Sequence, residues 1–267
     1  MAYENFIKEV EDRIAIITIN RPPANTLSTG AVKELNQILD ELEEESSVRV
    51  LVLTGKDRED KPEKSIFSAG ADISEFGSFF GTDKAKEVMA IGQRTFTRIE
   101  GYPKPVIACL NGHTLGGGLE LAITCHLRVM AETAKLGVPE VTLGILPGYG
   151  GTTRLPRILP RCRALELLLS GVRISAEEAL KLNLVNKVVP KGEELKEAKA
   201  WAKRLATGSA PLAMKTILEV VEEGTRNSLE KTLELEREGI TKLSGTKDAM
   251  EGITAFMQKR PPEFKGE

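Results

Sequence analysis

The chain has 267 residues, 41% of them hydrophobic and 28% charged, with a formal net charge of −2 and a pI near 6.0. This is ordinary soluble globular composition, enough for one catalytic domain plus an appendage, and it lacks the basic surplus that a nucleic-acid binder sets against phosphates. No segment approaches the roughly 18 consecutive apolar residues of a membrane helix, and MAYENFIKEVEDR carries no apolar leader core, so the cytoplasm is the expected location.

In chain order, IAIITI (14–19) and RVLVLTG (49–55) read as buried strands, because β-branched residues run without a polar face. Between them the periodicity predicts a helix over about 29–45, entered through Ser28 as N-cap. The charged, proline-bearing stretch 55–65 reads as a solvated loop. PVIACLNG (105–112) and HLRVMAET (126–133) are the next strands, each beside glycine-rich punctuation, which places function on the loops that leave them. Strands alternating with helices predict an α/β layer fold. From Arg161 onward the pattern turns helical, with Leu and Ala at three- and four-residue steps that serve either self-packing or a subunit interface.

Cys109, Cys125 and Cys162 are odd in number and form no CxxC pair, which argues against a disulfide framework or a zinc site. His113 and His126 stand too far apart for an HExxH pair, so no metal is expected. The chemistry concentrates in three glycine-bearing segments. FSAGADISEF (67–76) turns at Gly70 and offers Asp72 and Glu75 in capping-box spacing for a short helix, leaving free amides near Ala71. NGHTLGGGLELAITC (111–125) repeats the device at Gly116, Gly117 and Gly118, where a helix start aims its amides and positive dipole end outward. Two such starts aimed at one oxygen would form an oxyanion hole, each donor contributing roughly 3 kcal/mol to a transition state. The glycines fit neither a GxGxxG nor a GK[ST] pattern, which disfavours nicotinamide and ATP. LGVPEVTLGILPGYGGTTRL (136–155) sets Glu140 in an apolar run, and Glu120 lies among Leu119, Leu121 and Ala122. Carboxyls in apolar surroundings have raised pKa values suited to acid–base work.

Taken in this order, FSAGADI, NGHTLGGGLELA, GVPEVTLGILPGYGGTTRL and the ending GITAFMQKRPPEFKG resemble the crotonase (enoyl-CoA hydratase/isomerase) superfamily along essentially the whole chain. The resemblance implies a spiral of ββα units over 1–195 and a helical oligomerisation region over 196–267 that builds trimers, often paired into hexamers. It implies Ala71 and Gly117 as the amides that hold a thioester carbonyl, and Glu120 and Glu140 as the carboxyls that add water to a 2-enoyl-CoA. Glu120 would take a proton from water and Glu140 would protonate carbon 2. Substrate contacts are implied at Ala24, Ala69, Asp72, Ile73, Gly116, Pro139 and Gly148, with coenzyme A as part of the substrate and no separate cofactor. Ser74 stands where many hydratases carry a lysine, and Lys259 and Arg260 are candidates to supply that charge. Tyr149, Phe76, Phe79 and Phe80 are placed either in the acyl pocket or in the core. Keeping both glutamates favours hydration over Δ3,Δ2-isomerisation, which needs one carboxylate; the alternative of another class is a crotonase-fold protein that lost its chemistry or binds RNA, and near-neutral charge weighs against RNA.

Overall fold

The computed structural model of the protein describes residues 3–61 and 64–267; residues 62 and 63 of the charged loop lie outside it. Strands β1 (Phe6–Glu11) and β2 (Ile14–Ile19) form an antiparallel hairpin turned through Asp12 and Arg13, both at positive φ. Helix α1 (Thr29–Glu44) follows, with Ser28 Oγ accepting from Ala31 N at 3.1 Å and Ala31, Val32, Leu35, Ile38, Leu39 and Leu42 buried along one stripe. This is the helix expected from the periodicity, ending one residue earlier.

Three ββα units follow. They are β3 (Val50–Gly55), β4 (Ile66–Ser68) and α2 (Lys84–Glu100); β5 (Val106–Leu110), β6 (His113–Leu115) and α3 (Gly117–Thr124); and β7 (Leu127–Ala131), β8 (Lys135–Gly137) and α4 (Gly151–Ile158). In each, the chain crosses from a six-stranded sheet ordered β1-β2-β3-β5-β7-β10 to a four-stranded sheet ordered β4-β6-β8-β9, where β9 is Ile174–Ser175 and β10 is Lys187–Val189, and so advances as a spiral. Pairing from β2 to β3, β5 and β7 is parallel, and those strands are buried on both faces. The two-residue period sorts the faces. Ala15, Ile17, Leu51 and Leu53 join α1 in the main core, whereas Ile14, Ile16, Val50 and Val52 face Ala198, Ala202 and Ala206.

After α5 (Arg161–Ser170) the expectation of helical segments alone is corrected by two short strands, β9 (Ile174–Ser175) and, beyond α6 (Ala176–Lys181), β10 (Lys187–Val189). They are too short to carry a periodicity and exist because they pair with β8 and β7. Helix α7 (Glu194–Gly208) then covers the outer face of the large sheet through its alanines, so the 195/196 position falls in its first turn. Helices α8 (Pro211–Gly224), α9 (Leu229–Ser244) and α10 (Lys247–Gln258) complete the chain. They leave Leu229, Leu233, Ile240, Met250, Ile253, Phe256 and Met257 exposed. Buried Arg49 ties this region to the sheet, donating to Ala206 O and Phe264 O at 2.9 and 2.6 Å. No helix among the described residues is long and apolar enough to cross a membrane.

Candidate active site

Two glycine turns lie back to back where β4 and β6 end. Leu27 N donates to Gly70 O and Asp72 N donates to Leu27 O, a parallel bridge that uses the groups on either side of Ala71 and turns its own N–H away from Leu27. Gly70 has φ +95°, and a methyl on it would lie 2.6 Å from Gly117 N, so only glycine lets the turns approach this closely. Gly117 opens α3, and its amide is one of those a helix start leaves without an internal acceptor. A methyl built on Gly117 would lie 3.1 Å from Ala71 N. The two amides are therefore neighbours, and among the described residues neither has an acceptor.

Glu120 sits one turn into α3 with 1% exposure. Its Oε1 accepts from Tyr149 N at 2.8 Å and from Gly151 N at 2.6 Å, while among the described residues Oε2 has no donor. Burial pushes this carboxyl up to about 7, the Gly151 and Tyr149 amides and the Arg154 charge hold it back, and the charge of Glu140 adds to the rise. Glu140 follows Pro139 in a 3-10 turn (Pro139–Leu143) and is also raised, chiefly by burial. Its Oε2 is buried without a hydrogen-bond partner among the described residues, and its Oε1 lies 2.8 Å from where a methyl on Gly116 would sit. Buried polar atoms are almost always paired, so an orphaned carboxyl oxygen beside the first turn of α3 marks a place for a ligand proton. The fold thus brings both carboxyls and both amides to the start of one helix.

Ala24 O accepts from Ala69 N, Gly148 O accepts from Gln93 Nε2, and Ile73 is exposed beside the turn. The capping box at Asp72 and Glu75 is corrected. Asp72 does cap the 3-10 turn (Ile73–Ser78) through Ser74 N, but Glu75 reaches Thr29 N and Oγ1 at 2.8 and 2.9 Å and caps α1 instead. The free amides of a long helix attract that carboxylate more than the already capped short turn does. Asp72 also pairs with Arg21 at 3.0 Å, and the hydrogen bonds from Ser74, with a smaller pull from that arginine, hold its carboxyl below the ordinary carboxylate range. Ser74 donates to Asp72 rather than standing free, and Arg260 is held by both oxygens of Glu251 at 2.6 and 2.8 Å.

Tyr149 is buried, its ring between Gly92 and Gly117 with Phe96 edge-on at 5.2 Å. Phe76 stacks on Phe80 at 4.6 Å, with Phe79 edge-on. His113 accepts from Lys135 N through Nδ1, and His126 accepts from Val106 N. The cavity of about 1310 Å³ between α8 and the ends of α2 and α3 is lined by neither Glu120 nor Glu140. Reading the sequence missed Arg154 and Glu100, which meet beneath the Tyr149–Gly151 turn at 2.7 Å. An arginine on an amphipathic helix carries no local sign that it is buried.

Residues 9–267 match the sequence profile of the family described as enoyl-CoA hydratase/isomerase. The chain is 44% identical over 259 residues to a probable enoyl-CoA hydratase of Bacillus subtilis (strain 168), covering 97% of each protein. It is 40% identical to a crotonyl-CoA hydratase of Syntrophomonas wolfei, covering 99% of each. A crystal structure of an enoyl-CoA hydratase from Bacillus anthracis superposes with a TM-score of 0.92 at 38% identity, over 99% of this chain and 100% of that one.

Proposed function

The chain belongs to the enoyl-CoA hydratase/isomerase family and is an enzyme of the enoyl-CoA hydratase type; from that premise we propose that Glu120 and Glu140 add water, reversibly and syn, to a 2-trans-enoyl-CoA to give the 3-hydroxyacyl-CoA. The observation that carries these roles is the meeting of a buried and a half-buried carboxyl, both shifted upward, with two amides that have no acceptor among the described residues, at one helix start.

The thioester oxygen sits between the N–H groups of Ala71 and Gly117. That draws electron density from the conjugated system and makes carbon 3 electrophilic. Glu120, with Oε1 fixed by two amides, uses Oε2 to take a proton as the water oxygen bonds to carbon 3. The alkene electrons move onto the thioester oxygen as an enolate, which the two amides stabilise more than they do the ground-state carbonyl. Glu140 delivers a proton to carbon 2, and the thioester reforms. The pair must hold one proton in total at the outset, a property of both groups together. Each proton transfer is worth roughly 10²- to 10⁴-fold. Contacts from Ala24, Ala69, Asp72, Ile73, Gly116, Pro139 and Gly148 hold the acyl-CoA, whose coenzyme A is substrate, and no further cofactor enters the reaction.

The exposed apolar side chains of α9 and α10 support assembly into a homotrimer or a dimer of trimers; the cytoplasm is the place of action we propose. The deciding experiment follows the ultraviolet band of the conjugated thioester of crotonyl-CoA. The purified protein abolishes it, while Glu120→Gln and Glu140→Gln bind substrate and leave the band. A variant that kept near-full rate would remove that residue from its role.

A further inference from the structure

Behind the turn that grips Glu120 lies a buried ion pair that the reaction as written does not use. Arg154, on the first turn of α4, is 9% exposed. Its Nε and Nη2 form a fork on Glu100 Oε1 and Oε2 at 2.7 and 2.9 Å, and Nη2 also donates to Thr97 Oγ1 at 3.0 Å. Both partners belong to the last turn of α2. The remaining nitrogen, Nη1, donates to Tyr149 O at 2.8 Å. Gly150, at φ +113°, lies so close that a methyl there would sit 2.0 Å from Nη1, so the guanidinium occupies the space a side chain would need. The residues on either side of Gly150 are the two whose amides hold Glu120 Oε1.

We propose that Arg154 is a positioning residue for the hydration reaction: anchored on Glu100 and Thr97, it fixes the Tyr149–Gly151 turn and through it the direction in which Glu120 presents its free oxygen to water. The proposal rests on the hydratase reading above. The bond from Nη1 fixes the peptide between Tyr149 and Gly150, which lies between the two peptides that carry the Tyr149 and Gly151 amides, so a rotation there would draw both amides off the carboxylate. Lysine carries the same charge but a single ammonium cannot reproduce a two-pronged bond to Glu100 while also reaching Tyr149 O. The guanidinium charge also favours the ionised form of Glu120, as its downward pull on that carboxyl shows. Geometry and charge are therefore separable: lysine removes the first, methionine removes both.

The test compares wild type, Arg154→Lys, Arg154→Met and Glu100→Gln. Each is assayed with crotonyl-CoA from about pH 5.5 to about pH 9, and its urea stability is measured with and without Glu120→Gln. In all three variants kcat falls roughly 10- to 100-fold with KM changed less than about threefold, because a misaimed carboxylate impairs chemistry and not CoA binding. The acid limb of the kcat/KM profile moves to higher pH in Arg154→Met and moves less in Arg154→Lys. A folded Arg154→Met with wild-type kcat and an unmoved acid limb overturns the proposal, as does an effect confined to KM. If Arg154→Met does not fold, the isosteric Glu100→Gln decides through kcat, and a wild-type value there overturns the proposal equally. Wild-type protein that leaves crotonyl-CoA untouched refutes the hydratase reading instead. In that case the stability gap between Glu120 and Glu120→Gln at alkaline pH decides the clamp: it widens when Arg154 becomes methionine, and an unchanged gap sinks the coupling.

Discussion

Replacing Glu120 by glutamine is expected to stop hydration and, above neutral pH, to stabilise the folded protein. Glutamine has nearly the same shape and keeps an oxygen for the Tyr149 and Gly151 amides at 2.8 and 2.6 Å, so the turn remains gripped. What disappears is a charge in a site with 1% exposure. Burial lifts this carboxyl from 4.5 to about 7 in the folded protein, whereas the unfolded chain titrates near the lower value. The folded-state value is raised, so between those two values the native protein keeps a proton that the unfolded chain has lost. Stability therefore falls as pH rises through that window and stays lowered above it. At about 1.4 kcal/mol per pKa unit, wild type loses about 1 kcal/mol by roughly pH 5 and about 3 kcal/mol by roughly pH 8.5, and the glutamine variant loses neither. Urea unfolding of both proteins at those two pH values and equal protein concentration measures the difference, which should grow by about 2 kcal/mol in the variant's favour. A difference that stays constant with pH would mean that Glu120 is not held from water as the structure has it.

Glu140→Gln should lower kcat by at least about 10²-fold with little change in KM, read by the loss of the crotonyl-CoA band, because it removes a proton donor and leaves the amides intact. Gly116→Ala places a methyl 2.8 Å from Glu140 Oε1 on a residue with φ +54°; activity should fall by roughly 10-fold or more while circular dichroism reports a folded chain. The acid limb of kcat/KM should show a midpoint near that of Glu120, about 7, with rate lost as the base is protonated below it. Arg49→Met leaves Ala206 O and Phe264 O without their buried donor; urea unfolding should show a loss of about 2 to 4 kcal/mol.

Much was legible in the amino-acid order alone, for a reason that differs by element. IAIITI and VLVLTG announce buried strands because no charge and no alternating polar face interrupts them, and α1 announces itself through Ser28 and a regular apolar stripe. Gly70 and Gly116 were readable as turns because only glycine tolerates such backbone. The identities of Glu120 and Glu140 stood out as acids in apolar company. Local sequence records which side of an element avoids water, and that is all these inferences need.

What tertiary structure decided are the partners. Glu75 caps a helix that begins 46 positions earlier, and Glu120 is held by amides 29 and 31 positions later. Strands β9 and β10 exist only because β8 and β7 offer free edges to them. Arg154 turns inward because Glu100 and Tyr149 O wait there to replace the water it gives up. Such pairings depend on which distant groups the chain's spiral path brings within hydrogen-bond reach, a property that no residue shares with its immediate neighbours.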